Sequence, residues 1–184
     1  MTAWSVLGTL VAVPALDRPD LLGAPVAAAL KAFDPADAAT VGVAEIDPSL
    51  ADTAEFCAAY GSALSASANC VVVAGRRGAE TRYAACLVLA TTRADVNGLV
   101  RRRLNARRAS FAPMADAVAR SGMEYGGITP IGLPDDWPVL VDPAVAAAPA
   151  VVIGSGIRGS KLALPGALAA RLPNAEVLDG LGGC

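Results

Sequence analysis

The chain has no histidine and very little lysine. Its 15 basic residues include two lysines, Lys31 and Lys161, and the others are arginines. Without histidine the chain cannot build a Ser-His-Asp or Cys-His catalytic group, or a His-ligated metal site. Any chemistry must therefore rest on lysine, carboxylates, cysteine, hydroxyls, backbone amides or the substrate itself.

Aromatic residues are also scarce, at 4% of 184 residues, and charged residues make up 17%. Apolar residues reach 54%, which is the balance of a folded protein, and the length suits one domain with a sizeable core. That core must be built mainly from Val, Leu, Ile and Ala. The formal net charge of −2 argues against a general nucleic-acid binder, and DNA is not an expected partner.

The cysteines lie far apart and include no CxxC pair; they are Cys57, Cys70, Cys86 and Cys184. This spacing gives neither a zinc framework nor a dense disulfide pattern. We therefore expect no bound metal and a reduced, cytoplasmic setting. Cys70 and Cys86 stand in predicted strands among valines and leucines, which favours core positions over a nucleophile.

An apolar run occupies residues 2–16, and the first basic residue after it is Arg18. The run lacks the basic start of a secretory signal and is too short to span a bilayer. We interpret it as edge-strand structure within an N-terminal extension, residues 1–24, that precedes the main domain, residues 25–184. No membrane partner is expected.

Hydrophobic periodicity, prolines and glycines predict an α+β chain. Helices are predicted to begin at Pro25, at the capping pairs Ser49/Asp52 and Thr92/Asp95, at Pro113 and at Pro165, with stops at Gly61 and Gly122. Strands are predicted at residues 9–13, 40–46, 69–74, 81–90, 139–141, 151–153 and 161–164. Because residues 69–90 form a hairpin and helices are irregularly interspersed, a mixed, largely antiparallel sheet is favoured.

Glycines 154, 156 and 159 match GxGxxG directly after the apolar residues 151–153. A dinucleotide site needs a helix that starts inside this loop. Residues 161–164 are instead typical of a strand, and Pro165 would interrupt such a helix within about two turns. The motif therefore predicts no nucleotide cofactor.

A second glycine-rich stretch, residues 126–132, reads GGITPIG. A glycine pair before a proline-fixed turn can direct consecutive backbone N–H groups toward an anion or a developing oxyanion. A tight connection between a helix and a strand explains the same residues, and composition alone favours it. Both interpretations remain open at this point.

Arginines are concentrated at the end of a predicted helix, at positions Arg101, Arg102, Arg103, Arg107 and Arg108. Cations there complement the helix dipole, so part of this cluster has a structural explanation. Five arginines in eight residues exceed that need. In a chain of negative net charge, such a cluster suits recognition of phosphate or an RNA backbone.

Residues 103–112, 126–133 and 151–165, taken together, resemble the bacterial aminoacyl-tRNA editing domains named after YbaK and EbsC. These domains are also found inserted in bacterial prolyl-tRNA synthetases. The resemblance implies a curved, barrel-like mixed sheet flanked by helices, with neither metal nor organic cofactor. It also implies hydrolysis of the ester between a wrong amino acid and the 3′ end of a tRNA. Assembly into a homodimer is compatible with the sequence.

The same resemblance implies roles for particular residues. Gly127, Ile128 and Thr129 would shape the aminoacyl pocket, with Pro130 fixing the turn. The opposite wall would be formed by Gly154, Ser155 and Gly156, with Lys161 nearby. The arginine cluster would contact phosphates of the acceptor stem.

Asn69 stands where editing members of the family carry a lysine at the start of the central strand. Asparagine can hydrogen-bond a ribose, carbonyl or phosphate oxygen but brings no charge, and charge-assisted contacts are roughly twice as strong. The resemblance makes a free-standing trans-editing deacylase the leading hypothesis, and the missing lysine is the reason that alternatives are kept. Its alternatives are a binding module without catalysis and, less favoured, a hydrolase of another small ester or amide.

Overall fold

The structure, a computed structural model, describes residues 3–183, so Thr2 and Cys184 lie outside the described residues. Within that range the strands are β1 (Val13–Pro14), β2 (Gly42–Glu45), β3 (Ala68–Arg77), β4 (Glu80–Leu89), β5 (Arg93–Ala94), β6 (Arg108–Phe111), β7 (Val139–Val141), β8 (Val151–Gly154), β9 (Ser160–Leu164), β10 (Ala175–Val177) and β11 (Gly182–Gly183). The α-helices are α1 (Ala24–Lys31), α2 (Pro35–Ala38), α3 (Thr53–Tyr60), α4 (Arg101–Arg103), α5 (Met114–Ser121), α6 (Pro143–Ala147) and α7 (Gly166–Ala169).

The predicted N-terminal edge strand forms later and is shorter than expected. Strand β1 pairs antiparallel with β2 through Val13↔Val43, whereas residues 9–12 are not in a strand. The reason is a turn at Gly8, which has φ +67°, after which the Thr9 amide donates to the Tyr60 carbonyl at 2.8 Å. Because this turn holds the chain against the end of α3, pairing with β2 begins only at Val13.

Four strands form the first sheet, in the order β1-β2-β9-β8, and all its pairs are antiparallel. Its central strand β9 is buried along its whole length. The predicted strand at residues 161–164 is thus confirmed. The GxGxxG loop joins β8 to β9 as a hairpin, with Gly154 opposite Lys161, and no helix starts inside it.

Five strands form the second sheet, in the order β10-β7-β4-β3-β6. Its centre is the predicted hairpin of β3 and β4, in which ten residue pairs run from Ala68↔Leu89 to Arg77↔Glu80. Strand β7 lies parallel to both β4 and β10, while β6 is antiparallel to β3. The prediction of an α+β fold with mixed, largely antiparallel sheets is confirmed.

The main core lies between the two sheets and α1. Leu87 and Val141 of the second sheet, Ile153 and Leu162 of the first, and Val26 of α1 belong to one buried cluster. A bridge between Ser67 and Val152 connects the sheets at one corner. The sheets otherwise remain separate, so the barrel is not closed. This open corner is where the cleft described below forms.

Glycines end two helices as the sequence predicts. Helix α3 stops at Gly61 (φ +71°) and α5 stops at Gly122 (φ +67°), both in the left-handed region. At each site the glycine amide donates to a carbonyl of the last helical turn. This conformation costs glycine little and other residues more, which is why these stops are readable from sequence.

The predicted helix starts are less accurate. Ser49 does not open α3, because its amide and hydroxyl both bond to Asp47; the helix begins at Thr53 instead. Similarly, Asp95 rather than Thr92 caps the next helical segment, since its carboxylate accepts from the Gly98 and Leu99 amides at 2.9 Å. In both places a local side-chain contact puts the helix start later than the capping pair predicts.

None of the helices in residues 3–183 combines the length and apolar character that crossing a bilayer would require.

Candidate functional site

A cleft of about 610 Å³ opens between the start of β3, in the second sheet, and the end of β8, in the first. The start of α3 and the start of α5 form its other sides. The lining residues are Ala51, Asp52, Thr53, Phe56, Ser67, Ala68, Asn69, Cys70, Val71, Val72, Phe111, Ala112, Met114, Ala117, Tyr125, Gly126, Ile128, Val152, Ile153, Gly154 and Lys161. Most of these are apolar, and its volume is that of a small-molecule site.

Arg158 ties the two rims of this cleft together. Its Nε donates to the Pro48 carbonyl at 3.2 Å, and its Nη1 donates to the Tyr125 carbonyl at 3.3 Å. The same Nη1 lies 3.6 Å from an Asp52 carboxylate oxygen. The guanidinium therefore connects the segment before α3 with the segment before Gly126.

Asn69 lies on the cleft wall at the start of β3, where the sequence analysis placed a functional residue. The Thr53 hydroxyl, at the first turn of α3, donates to Asn69 Oδ1 at 2.7 Å. This contact orients the amide, with Oδ1 toward Thr53 and the NH₂ group on the other side. Its NH₂ group has no protein acceptor among residues 3–183.

Lys161 reaches the cleft from β9, on the other sheet. Its ammonium donates to the Ala51 carbonyl at 2.6 Å and stands 5.5 Å from the centre of the Phe56 ring. The residue is only 7% exposed. Burial lowers the pKa of Lys161, and the nearby Asp52 carboxylate opposes that effect. It is the one cation among the described lining residues.

The two glycine-rich loops meet backbone to backbone behind the cleft. The Gly156 amide donates to the Gly127 carbonyl at 2.7 Å. A Cβ on Gly127 would lie 2.6 Å from the Ile157 carbonyl, and one on Gly154 would lie 2.5 Å from the Gly127 carbonyl. Both positions need glycine because no side chain fits between the loops.

The predicted pocket residues therefore divide into two groups. Asn69, Ile128, Gly154 and Lys161 line the cleft, and Gly127 supports it from behind. The structure does not bring the remaining four to the cleft lining; they are Thr129, Pro130, Ser155 and Gly156.

Those four residues lie away from the cleft. Ser155 and Ser160 share a buried hydrogen bond of 2.6 Å between their hydroxyls, and Gly156 (φ +90°) packs against Gly23. Pro130 lines a separate cavity of about 180 Å³. Thr129 is fully buried, and its hydroxyl has no hydrogen-bond partner within residues 3–183.

Cys70 lines the cleft but is unsuited to act as a nucleophile. Burial raises the pKa of its thiol, and burial likewise raises the pKa of Cys86 to about 12. Since the thiolate is the reactive form, neither residue carries one near neutral pH. In the described part of the chain Cys57, Cys70 and Cys86 are all free thiols.

Replacing Cys70 with serine is expected to leave any hydrolytic activity of the cleft within about threefold of the wild-type rate, because the thiol stays protonated. The measurement is kcat for C70S beside the wild type, together with alkylation by iodoacetamide at pH 7.5. A loss of activity beyond tenfold, or rapid alkylation of Cys70, would contradict this assignment.

No cluster of three or more Cys, Asp or Glu side chains within residues 3–183 is arranged to hold a metal ion. The cleft itself contributes one carboxylate, Asp52.

The predicted arginines lie on an adjoining surface, and the structure adds Arg76 and Arg77 to them. Arg108 in β6 stands directly opposite Arg76 in β3. Four exposed guanidiniums make no hydrogen bond or ion pair within residues 3–183, although, beside backbone hydrogen bonds, the charge of nearby Arg102 helps to lower the pKa of the Asp95 carboxyl. We call them the arginine band: Arg76, Arg102, Arg107 and Arg108. Three others are engaged, since Arg77 bonds to Asn105, Arg101 to the Asn97 carbonyl and Arg103 to Glu176.

Strand β6 connects the arginine band to the cleft. It starts at Arg108 and ends at Phe111, which is a lining residue. Three residue steps along a strand cover about 10 Å. The Cα atoms of Arg108 and of the cleft residue Phe111 are therefore about that far apart.

A match to a known sequence family shows which proteins this chain is related to. A sequence model of the aminoacyl-tRNA editing domain matches residues 47–172, more than half of the chain.

The chain belongs to the aminoacyl-tRNA editing domain family.

Solved structures share the fold of this editing domain. A protein provisionally described as a trans-editing enzyme for prolyl tRNA synthetase is 21% identical with a TM-score of 0.71, over 87% of this chain and 96% of that one. A scaffold from a study of computational epitope grafting is 22% identical with a TM-score of 0.71, over 88% and 97%. The hypothetical protein APE2540 is 20% identical with a TM-score of 0.63, over 72% and 85%. No curated protein sequence gives a match.

The editing-domain match encloses the whole cleft, because the lining runs from Ala51 to Lys161. Several of these lining residues were not predicted from the sequence, among them Thr53, Phe56 and Met114. They belong to the first turns of α3 and α5, and no motif marks them. Only the predicted helix starts near Asp52 and Pro113 indicate that these residues stand at an exposed helix end.

Proposed function

We propose that this editing domain hydrolyses the ester of a mischarged tRNA, with the aminoacyl group held in the cleft. One observation carries the proposal: all three stretches that resemble editing domains meet there. Phe111 comes from the first stretch, Ile128 from the second, and Gly154 and Lys161 from the third. Residues so far apart in sequence converge on a site when they act on one ligand.

The chemistry of the cleft supports an aminoacyl ester as the ligand. Its walls include Phe56, Val71, Met114 and Ile153, which suit an amino-acid side chain. Polar groups stand at one side, where Asn69 and Lys161 can contact the ester. The protein needs no His or Ser nucleophile for this reaction if water attacks an ester that is held in place.

The arginine band supports a polynucleotide on the same surface. Arg76 and Arg108 are directly opposite each other on neighbouring strands, an arrangement that is unfavourable for like charges unless an anion lies between them. Arginine forks pair well with phosphate oxygens. We propose that the band contacts acceptor-stem phosphates while the 3′ end enters the cleft. We further propose that the domain acts in trans, the mode of action provisionally ascribed to one of its structural neighbours. The unpaired cysteines suit a cytoplasmic reaction.

A second function is favoured by Asn69. Its neutral amide stands where the family pattern has a lysine, so the domain has a cleft but lacks the usual charge on that strand. The alternative proposal is therefore a module that binds aminoacyl-tRNA, or a small ligand, without hydrolysing it.

Deacylation of a panel of mischarged tRNAs tests both proposals. Wild type is compared with Asn69→Lys and with the double variant Arg102→Ala/Arg103→Ala. We expect the wild type to release the amino acid from at least one tRNA, and the arginine variant to need several-fold more enzyme at physiological salt.

The outcomes separate the proposals. If wild type deacylates no tRNA and Asn69→Lys creates activity, the binding module is supported. If no tRNA binds even at low salt, both proposals fail.

A further inference from the structure

Two side chains with unused hydrogen-bond donors face the cleft from different sheets. They are the Lys161 ammonium on β9 and the Asn69 amide on β3. The inference drawn from them rests on the proposed function, because it assigns them a task in hydrolysis of the ester.

Lys161 has donor capacity to spare. An ammonium carries three N–H bonds, and one of them points to the Ala51 carbonyl. The Phe56 ring covers another side of the group. Within residues 3–183 no other protein acceptor bonds to this nitrogen, although the side chain is buried. An oxygen of a ligand in the cleft is the remaining partner.

The charge of Lys161 is also poorly neutralised. Asp52 is the one carboxylate among the described lining residues. Its side chain is 67% exposed and lies beside the Arg158 guanidinium. Asp52 is therefore screened by water and shared between two cations. A buried cation in this situation attracts a negatively charged oxygen.

Asn69 is oriented for the same task. Because Oδ1 accepts from the Thr53 hydroxyl, the NH₂ group must occupy the other side of the amide. The side chain is a cleft-lining residue, so its two N–H donors are available to a ligand.

The short segment from Ala51 to Thr53 brings the two donors together. Its first residue holds Lys161 through its carbonyl, and its third holds Asn69 through its hydroxyl. Two residue steps span at most about 7 Å between Cα atoms, so one short segment anchors both side chains. The ammonium and the amide line the same cleft, where a single ligand can meet both.

We propose that Lys161 and Asn69 together bind the carbonyl oxygen of the aminoacyl ester and stabilise the oxyanion it becomes. Water attacks the carbonyl carbon, and the C=O π electrons move to the oxygen held by both donors. Collapse re-forms C=O and breaks the bond to the ribose oxygen. That oxygen takes one proton of the water, and the other is lost to solvent. The products are an amino-acid carboxylate and a free ribose hydroxyl.

The kinetic test replaces Lys161 with methionine, which keeps the apolar stem and removes the charge. We expect kcat for deacylation to fall about 100-fold or more, as for the loss of an oxyanion donor. Affinity for an amide-linked, non-hydrolysable aminoacyl-tRNA analogue should change less than about fivefold, because the oxyanion exists only during reaction. Lys31→Met, the other lysine of the chain, is the matched control and should keep wild-type kcat.

The pH profile adds a second readout. Only the protonated ammonium carries charge, so kcat should fall as pH rises through the pKa of Lys161, which burial places below that of an ordinary lysine. Lys161→Arg stays charged at every accessible pH. The alkaline fall should therefore disappear in that variant, even if its rate is lower.

The orientation of Asn69 is tested through Thr53. Thr53→Val removes the hydroxyl that holds Oδ1, so the amide can turn its oxygen toward the substrate, and we expect about a tenfold lower kcat. Asn69→Asp places a negative charge beside the developing oxyanion and should be at least as damaging as Lys161→Met. Activity of either variant within threefold of wild type would overturn the role of Asn69.

A ligand-binding measurement on the folded protein tests the proposal even if the kinetic variants fail to fold. In protein labelled with ¹³C-lysine, the two lysines give two Cε signals, assigned with Lys31→Arg. Adding the non-hydrolysable analogue should shift the Lys161 signal and leave that of Lys31 unchanged. If the analogue binds and neither signal moves, the proposal is overturned even in an inactive protein.

The outcomes also separate this inference from the proposed function. If wild type hydrolyses a mischarged tRNA and Lys161→Met hydrolyses it equally fast, the deacylase stands and the oxyanion site is wrong. If wild type neither hydrolyses nor binds any charged tRNA, and the analogue moves no lysine signal, both are wrong.

Discussion

Replacing Gly127 with alanine is expected to destabilise the protein by about 3 kcal/mol, the upper part of the range for overpacking. The new Cβ would lie 2.6 Å from the carbonyl oxygen and 2.7 Å from the amide nitrogen of Ile157. These are backbone atoms, which cannot rotate away as a flexible side chain would. For a domain of this length, the loss corresponds to a melting temperature lower by about 6 to 12 °C.

Calorimetry of Gly127→Ala measures this loss, and Gly159→Ala is the control. Gly159 belongs to the adjoining loop, but a Cβ there would come no closer than 3.9 Å to Pro48 Cγ, so its melting temperature should stay near that of wild type. Gly154→Ala should resemble Gly127→Ala, because its Cβ would meet the Gly127 carbonyl from the opposite side. Equal melting temperatures for all three variants would show that the two loops are not held in contact.

Neutralising the arginine band is expected to weaken tRNA binding by about 30-fold or more near physiological salt. The variant changes Arg76, Arg107 and Arg108 to glutamine. Each lost phosphate contact should also lower the slope of log affinity against log salt by about one. Fluorescence anisotropy over a series of salt concentrations measures both quantities.

A charge-matched control separates local contacts from net charge. Changing Arg18, Arg93 and Arg171 to glutamine removes the same amount of charge outside the arginine band; two of these arginines already pair with Asp20 and Asp37. This control should bind tRNA within about threefold of wild type. If both triple variants lose the same affinity and slope, the band is not the contact surface.

The elements predicted best from sequence are those that local chemistry determines. The hairpin of β3 and β4 is confirmed because two long apolar runs flank a short polar turn at Gly78. Helix ends at Gly61 and Gly122 are confirmed because the left-handed conformation selects glycine. The helix start at Pro25 is confirmed to within one residue. The starts at Ser49 and Thr92 were wrong because short-range contacts of Asp47 and Asp95 place the helices later. The N-terminal strand is shorter than predicted because Thr9 contacts the distant Tyr60.

The candidate site was predictable where a motif carried the residue itself. Gly154 and Lys161 flank the GxGxxG loop, and Asn69 starts a recognisable strand; all three line the cleft. Sequence cannot show that Ser155 turns into the core toward Ser160, because adjacent residues of a loop have no fixed alternation. Nor can it show that Phe56 faces the cleft, since that depends on how α3 is placed against β9.

The backbone contact between Gly127 and Gly154 leaves no room for a side chain at either position. These two residues therefore cannot change, whereas those on the opposite wall can. The glycine wall has no side chain to exchange, so its shape is tied to the stability of the whole fold. The opposite wall is made of side chains on the first turns of two helices, such as Phe56 and Met114. Under the proposed function, side-chain changes on the helical wall can alter the size of the aminoacyl group that fits, whereas changes at these glycines would disturb the fold. One side of the cavity can thus change with the substrate, while the other preserves the fold.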